Sequence, residues 1–211
     1  MLLIDAHTHA VPSAPDIAVL VNLNPGAPAE PAKHCYYSCG IHPADIGQYS
    51  LDELRTTLTG IPCSAVGECG LDAQFPAEQE TIFRKQIRLA EELKLPMVIH
   101  CVRKHYDVIR IRKSEHAAMP WLIHGFRGNP ETGKALLQAG CLLSLSPVWL
   151  IHLETFPDWL PDGKFLLETD ESDIPLPSLY EHAIRLRKDS PERFGMMLQE
   201  TFGAFIDIGF T

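Results

Sequence analysis

The sequence predicts an α/β protein of the (β/α)8 class, a compact TIM barrel, on three observations. Eight short apolar segments have the character of strands, and most of them alternate with helical patterns. Their apolar runs are nearly continuous, as in parallel strands that are buried on both faces. Histidines and acids stand at the carboxyl ends of several strands, where barrel enzymes build their active sites. An open doubly wound sheet is the alternative, but no Gly-rich dinucleotide-binding loop follows any strand.

The predicted strands are rich in β-branched, aromatic and other apolar residues and are bounded by Pro, Gly, Asn or Asp. They cover residues 2–9, 16–23, 35–41, 63–69, 96–100, 121–124, 141–146 and 164–170. Only residues 10–15 separate the first two strands, and prolines interrupt them. This linker cannot hold an ordinary helix, so we expect a reduced first crossover.

The helices are predicted from their start signals and their amphipathic faces. Ser50 and Glu53 form the capping-box pattern that begins a helix. Residues 76–95 place their apolar side chains largely on one face, which makes this the clearest helix. Asn129, followed by proline, is the N-cap pattern of another. The predicted helices cover residues 50–59, 76–95, 104–113, 129–139, 177–188 and 191–206, with a mixed segment at 148–160.

Length and composition fit one globular domain over residues 1–211. The net charge of −9 gives no support to a general duplex binder, although two bound divalent cations would add about four positive charges. No apolar run reaches the roughly 18 residues of a membrane span, and no signal-peptide pattern is visible, so we expect a cytoplasmic protein. In a reducing cytoplasm the six scattered cysteines are expected to be free thiols. Cys35 and Cys39 are not followed by a second such pair, which argues against a structural zinc knuckle.

Residues of metal-binding types follow five of the predicted strands. His7 and His9 end the first strand, and strict alternation would point them the same way as Asp5. The later members of the set are Glu68, His100, His124 and Asp170. In a barrel these strand ends meet at one mouth, and their nitrogen and carboxylate atoms suit Zn²⁺, Mn²⁺, Fe²⁺, Co²⁺ or Ni²⁺, with Mg²⁺ also possible.

The size of this set favours two metal ions over one. A single catalytic zinc needs three protein ligands and a water, whereas six candidates are present. Two-metal sites activate a water and hold the oxygens of an in-line displacement at phosphorus. The prediction is therefore a two-metal hydrolase, with a lone zinc and a spare residue as general base as the runner-up. Glu168 shares the face of Asp170 one layer deeper, which favours a buried, hydrogen-bonded role.

Six motifs occur in order along nearly the whole chain: Asp5-x-His7-x-His9, Gly40-Ile41-His42-Pro43, Gly67-Glu68-Cys69-Gly70-Leu71-Asp72, the His100 strand end, His124-Gly125-Phe126-x-Gly128 and Glu168-Thr169-Asp170. Together they resemble the TatD family of metal-dependent hydrolases, within the amidohydrolase superfamily. The resemblance implies a (β/α)8 barrel and a deoxyribonuclease-type phosphodiesterase that acts on DNA ends, usually from the 3′ end, or on a small phosphoester.

The resemblance also implies roles for individual residues. One metal ion would be held by His7, His9, Glu68 and Asp170, and the second by Glu68, His100 and His124, with Glu68 bridging. Asp170 would also accept the proton of the attacking water, so Glu68 and Asp170 are the catalytic candidates. The substrate candidates near the mouth are His42, Arg103 and Arg127. For His42 a capped turn before Pro43 is an equally good interpretation.

Several positions depart from the family pattern. The family usually has an arginine two residues after the fifth-strand histidine, whereas Arg103 comes three residues after His100. Glu171 and Asp173 add acids directly after the last motif, and Thr201 stands where the family prefers Asn. The metal ligands are thus kept while the substrate side is altered.

Two other functions remain open from the sequence. A metal-dependent amidohydrolase or lactonase would attack a carbonyl carbon with a similar water, but many amidohydrolases carry a carboxylated lysine where this chain has Glu68. A non-catalytic barrel that binds metals structurally is the third possibility. The six-residue set argues against it, because a structural metal site rarely needs spare ligands.

Overall fold

Eight parallel strands form one sheet in the order β1 to β8, in a computed structural model that describes residues 2–11, 14–29, 32–75 and 78–209. The strands are β1 (Leu3–Thr8), β2 (Ile17–Leu23), β3 (Cys35–Cys39), β4 (Cys63–Asp72), β5 (Met97–Val102), β6 (Trp121–Phe126), β7 (Cys141–Leu145) and β8 (Phe165–Leu167). The helices are α1 (Leu51–Gly60), α2 (Glu78–Leu93), α3 (His105–Ser114), α4 (Pro130–Gln138), α5 (Pro147–Ile151), α6 (Leu176–Arg187) and α7 (Pro191–Ile206). The predicted (β/α)8 barrel is confirmed.

The sheet closes into a barrel where β1 meets the segment after β8. Thr8 and Asp170 form a parallel bridge, and the Asp170 N–H donates to the His7 carbonyl at 3.0 Å. Farther down β1, the backbone of Ile4 is bonded by a side chain. The Tyr180 hydroxyl, on α6, accepts from the Ile4 N–H at 2.8 Å and donates to the Ile4 carbonyl at 3.2 Å. A side chain thus satisfies both backbone groups of Ile4.

The first two crossovers are reduced. The described residues between β1 and β2 contain no helix, as predicted, and those between β2 and β3 form only a loop and turns. Val19, Val21 and Tyr37 form a buried cluster on these strands, and Ala29 of the loop packs against it. The loop therefore takes part of the covering role that a crossover helix has elsewhere in a barrel.

The local start signals act as predicted. Ser50 Oγ accepts from the Glu53 N–H at 3.1 Å, while Glu53 Oε2 accepts from the Ser50 N–H at 2.7 Å, so the capping box opens α1. Asn129 Oδ1 accepts from the Thr132 N–H at 2.9 Å and caps α4. Residues 76 and 77 of the predicted second helix lie outside the described residues.

Several segments differ from the sequence expectation; β8, for example, covers Phe165–Leu167 where the prediction was 164–170. Strand β4 continues to Asp72 and β5 to Val102, beyond their predicted ends at residues 69 and 100. The mixed segment at 148–160 contributes only the short helix α5. All six cysteines are free, and within the described ranges no group of metal-ligand side chains includes one. Among the same residues, no helix combines the length and apolar character needed to cross a bilayer.

Candidate metal centre

The four histidines predicted as metal ligands meet around the Glu68 carboxylate at the carboxyl end of the barrel. Glu68 Oε1 lies 2.6 Å from His100 Nδ1 and 2.7 Å from His124 Nε2. The other oxygen, Oε2, lies 3.4 Å from His7 Nε2 and 3.8 Å from His9 Nε2. The two oxygens of one carboxylate therefore face different histidines: Oε2 faces His7 and His9, and Oε1 faces His100 and His124, with His42 Nε2 also 3.6 Å away. This is the arrangement that a bridging ligand requires.

Asp170 completes the set from beyond β8. Its Oδ1 lies 3.7 Å from His7 Nε2 and 3.5 Å from His9 Nε2, so the aspartate faces the same pair as Glu68 Oε2. The left-handed backbone at Asp170 (φ 53°) turns the chain here, a conformation that Asp tolerates better than most residues. The structure thus brings all six predicted ligands to one mouth.

The His7 ring shows that this cluster suits a cation. It is fully buried, and neither of its ring nitrogens has a hydrogen-bond partner, which is costly for a polar group out of water. His100 Nδ1 and His124 Nε2 also face each other at 3.2 Å, next to a carboxylate. Nitrogen and carboxylate donors so arranged fit a divalent metal of the zinc or manganese type.

Asp5 does not join the histidines, contrary to the expectation from strand alternation. Its carboxylate accepts from the Thr169 N–H at 2.9 Å and from the Thr169 hydroxyl at 2.6 Å. The pairing of β1 with β2 shifts register between Asp5 and Thr8, and such an irregularity breaks the two-residue period. Asp5 instead anchors the residue next to Asp170, and burial raises the pKa of Asp5 to about 7.

Glu168 has the buried, hydrogen-bonded position that the sequence indicates. The side chain is inaccessible to solvent, and its Oε1 accepts from the Gly125 N–H at 2.6 Å. The same oxygen lies 3.8 Å from His124 Nδ1. Glu168 therefore fixes the chain immediately after His124, where Gly125 adopts a positive φ of 61°.

Asp72 is a residue at the site to which the sequence analysis assigned no role. Its Oδ2 lies 3.1 Å from His100 Nε2, and its Oδ1 accepts from the Gln74 N–H at 2.8 Å. The bonds from Gln74 and His100 more than offset burial and lower the pKa of Asp72, so the ionised carboxylate accepts a hydrogen bond from the Nε2–H of His100. This leaves the lone pair on Nδ1, the nitrogen that faces Glu68 and His124. Asp72 lies four residues after Glu68, so an extended β4 was the signal that could have identified it.

Amide side chains hold the backbone around these groups. On α2, Gln86 bonds both the N–H and the carbonyl of Ile41 (2.8 and 3.0 Å), and Gln79 does the same for Asp72 (2.7 and 2.8 Å). Asn22 Oδ1 accepts from the Glu68 N–H at 2.6 Å. The scaffold thereby fixes the segments that carry His42, Asp72 and Glu68.

The acids and histidines of the cluster shift one another's pKa values. Burial raises the pKa of Glu68, but the neighbouring His124 and hydrogen bonds from the histidines outweigh it and hold that pKa well below its usual range. Burial lowers the pKa of His124, but the negative charges of Glu68 and Glu168 outweigh burial and raise that pKa well above its usual range. The hydrogen bond to Asp170 raises the pKa of His9. The acids of the cluster are thus held ionised beside groups that can carry positive charge.

The predicted substrate residues surround this centre. His42 Nδ1 accepts from the Ala44 N–H at 3.1 Å and caps the short 3₁₀ turn Pro43–Asp45, as the capped-turn interpretation predicts. Its Nε2 still lies 3.6 Å from Glu68 Oε1, so the ring also belongs to the site. Desolvation by burial lowers the pKa of His42, which favours the neutral ring.

Arg103 and Arg127 line a cavity of about 470 Å³, together with His100, His124 and Asp170. We refer to it as the cationic cavity. Both arginines are exposed, and the cavity opens directly onto the candidate ligands. A larger cavity of about 820 Å³ borders Pro120 and Lys164, at the amino ends of β6 and β8, and is therefore remote from this chemistry.

Solved structures with the same fold include two from the group that the motifs indicate. The TatD homologue YjjV from Escherichia coli K12 superposes with a TM-score of 0.79 at 21% identity, covering 98% of each chain. A TatD-family hydrolase from Entamoeba histolytica gives a TM-score of 0.72 at 14% identity, covering 97% of each chain. At these identities the likeness establishes the fold alone.

Sequence comparison establishes the family. The chain is 31% identical over 157 residues to the 3′-5′ ssDNA/RNA exonuclease TatD of Escherichia fergusonii, covering 65% of this chain and 58% of that protein. The enzyme of the same name from Yersinia pseudotuberculosis is 32% identical over 162 residues, covering 67% and 60%. The chain thus spans about three fifths of the length of these curated relatives. The family model "TatD related DNase" matches residues 27–198, and the chain belongs to this family.

Proposed function

We propose that the protein is a divalent-metal-dependent phosphodiesterase that hydrolyses the ends of single-stranded nucleic acid. One observation carries the proposal: the two oxygens of Glu68 each face a separate pair of histidines, and Asp170 faces one of those pairs. Bound divalent cations would supply an activated water and would neutralise charge on the phosphoryl oxygens. The relatives described as ssDNA/RNA exonucleases support the choice of substrate.

The ligand roles follow from which atoms face one another. His7, His9 and Asp170 would hold one ion with Glu68 Oε2, and His100 and His124 would hold the second with Glu68 Oε1. The orphaned ring of His7 supports the first position, because a cation would satisfy its Nε2. Asp72 and Glu168 keep His100 and His124 in place from behind.

Asp170 is the proposed proton acceptor. Its side chain is 36% exposed at the mouth, so water and substrate can reach it, whereas Glu68 is 7% exposed. Burial raises the pKa of Asp170, but the hydrogen bond with His9 and the nearby histidines outweigh this and lower it. The group is therefore an available base at neutral pH.

The charges around the mouth suit a terminal phosphodiester. Arg103 and Arg127 present two exposed guanidinium groups to the cationic cavity, where they can bind phosphate oxygens. Glu171 instead lines the neighbouring cavity of about 440 Å³ beside His9 and His42. With a net charge of −9, the protein attracts nucleic acid only locally, so we expect substrate binding to depend on metal loading.

A substrate panel on metal-free protein reloaded with Mn²⁺, Zn²⁺ or Mg²⁺ tests the proposal. We expect release of nucleotides from an end-labelled single-stranded oligonucleotide and hydrolysis of bis(p-nitrophenyl) phosphate. Arg103→Gln and Arg127→Gln should raise KM, whereas Lys113→Gln, an exposed cation at the far end of α3, should not. Turnover of simple amides or lactones with inert phosphodiesters would instead identify a metal-dependent amidohydrolase or lactonase.

A further inference from the structure

A second cavity adjoins the cationic cavity at the mouth of the barrel. It measures about 660 Å³, and three partly exposed rings, those of Trp149, Phe156 and Trp159, line it. We call it the aromatic cavity. Gly128 lines both cavities. Ser146 of the cationic cavity lies just three residues before Trp149, across the first turn of α5. The two cavities therefore adjoin at Gly128, and the start of α5 runs from one to the other.

Trp149 and Trp159 are held by close packing from behind. Both indole rings lie edge-on to Phe126, with ring centroids 5.7 and 6.1 Å away. A Cβ at Gly133 would collide with the Trp159 ring, so only glycine lets this indole pack directly on α4. At Gly128 a Cβ would come within 2.9 Å of the Phe126 ring that supports both indoles.

Phe156, the third ring of the aromatic cavity, is also held by its neighbours. The centroid of the Phe156 ring lies 5.1 Å from that of Phe165 and 4.8 Å from the Arg187 guanidinium. Because their positions are set by packing, the three rings need little ordering when a ligand enters, which reduces the entropic cost of binding.

The charged residues that line the two cavities favour different ligands. Among the described residues that line the aromatic cavity, the only charged one is Asp158, which disfavours a phosphate group. The cationic cavity has Arg103 and Arg127, which favour one. A ligand that spans both thus has a phosphate at one end and an uncharged, flat ring at the other. Nucleic acid has this composition, and aromatic side chains stack bases without regard to their sequence.

We infer that the aromatic cavity is a nucleobase subsite, which takes a base close to the phosphate that sits in the cationic cavity. The inference rests on the proposed function, because it names the part of the substrate that this cavity binds. It assigns a role in substrate binding to Trp149, which belongs to no group of candidate metal ligands among the described residues.

A binding experiment that needs no hydrolysis tests the subsite. Thymidine 5′-monophosphate is titrated into metal-loaded protein while tryptophan fluorescence is recorded, with 2-deoxyribose 5-phosphate as the probe that lacks the base. The chain has three tryptophans, and Trp121 is fully buried, so quenching by a base must come from Trp149 and Trp159. We expect saturable quenching by the nucleotide alone, and Trp149→Leu should weaken nucleotide binding about five- to a hundredfold.

Val148→Ala is the matched control. Val148 is 52% exposed on the same helix but does not line the cavity, so binding should be unchanged. Trp149→Phe keeps a ring and should retain most of the affinity, which separates stacking from a folding defect. Equal affinity of wild-type protein for the two phosphates, or nucleotide binding by Trp149→Leu at wild-type strength, would overturn the subsite.

A hydrolysis experiment separates failure of the subsite from failure of the proposed function. Oligonucleotides carry one abasic residue at each of the last three positions in turn, in both deoxyribose and ribose series. For wild-type protein, kcat/KM should fall about five- to a hundredfold at one of these positions, and Trp149→Leu should abolish that difference in both series. Hydrolysis in which no abasic position lowers kcat/KM, or in which Trp149→Leu leaves the difference unchanged, refutes the subsite alone. Base-dependent quenching by a protein that cleaves no phosphodiester refutes the proposed function alone.

Discussion

The substitution Asp72→Asn tests how the scaffold prepares His100 for a metal ion. Asp72 bonds His100 Nε2 at 3.1 Å through Oδ2 and the Gln74 N–H at 2.8 Å through Oδ1. Asparagine has a single acceptor oxygen, so it can keep only one of these bonds. If the amide nitrogen faces His100, the proton moves to Nδ1, and the lone pair needed by a metal ion is lost.

The magnitude follows from the lost contact. A hydrogen bond to a charged group contributes about 1.5–3 kcal/mol, and Asp72 is only 4% exposed, so water cannot replace it well. At about 1.4 kcal/mol per tenfold change this corresponds to roughly 10- to 100-fold in metal affinity, the range typical of residues that orient a metal ligand.

Isothermal titration of metal-free protein with Zn²⁺ or Co²⁺ measures the effect. We expect the ion held by His100 and His124 to weaken by that factor, while the ion on the His7 side keeps its affinity. Asp207→Asn is the control, an identical exchange at the exposed C-cap of α7, and should bind both ions normally. Metal-free Asp72→Asn should still unfold cooperatively, at a melting temperature somewhat below that of wild type, because the same buried hydrogen bond is lost from the folded state. Wild-type affinity at both sites in Asp72→Asn would refute the orienting role.

Further predictions concern the central carboxylates and Asp5. Glu68→Gln and Asp170→Asn should each lower turnover by about two orders of magnitude or more, measured with bis(p-nitrophenyl) phosphate at saturating metal, and near-full activity would contradict their roles. Asp5 has a pKa of about 7 in the folded chain against 3.8 for a free side chain, so the folded state binds the extra proton between these values. Stability should therefore fall as pH rises from about 4 to 7, by up to about 4 kcal/mol. In Asp5→Asn this component disappears, and urea unfolding at several pH values should show a smaller loss than in wild type; parallel curves would exclude Asp5 as the cause.

The cluster of candidate metal ligands could be predicted because parallel strands bring their carboxyl ends to the same edge. His7, His100 and His124 are far apart in sequence, yet each follows an apolar run that could be identified from composition. The number and order of such runs were enough to place the side chains at a common mouth. The two oxygens of Glu68, each facing two histidines, depend on side-chain positions that the sequence does not specify.

The failures have physical causes that composition does not reveal. Asp5 was expected beside the histidines, but a register shift in β1 breaks the alternation on which that expectation depended. Asp72 received no role because β4 was predicted to end at residue 69, whereas its pairing with β5 continues to Val102. The aromatic cavity could not be predicted at all, since Trp149 of α5 and Trp159 of the segment that follows it are brought together only by their packing on Phe126.

The most direct test of a two-metal centre around Glu68 is the metal content of the protein. Protein purified without chelator and equilibrated with Mn²⁺ or Zn²⁺ would be analysed by elemental mass spectrometry after removal of free ions. The arrangement of the six ligands predicts close to two equivalents per chain, falling in Glu68→Gln. Less than about a tenth of an equivalent in wild type, with no activation by added metal, would contradict the site and the chemistry proposed for it.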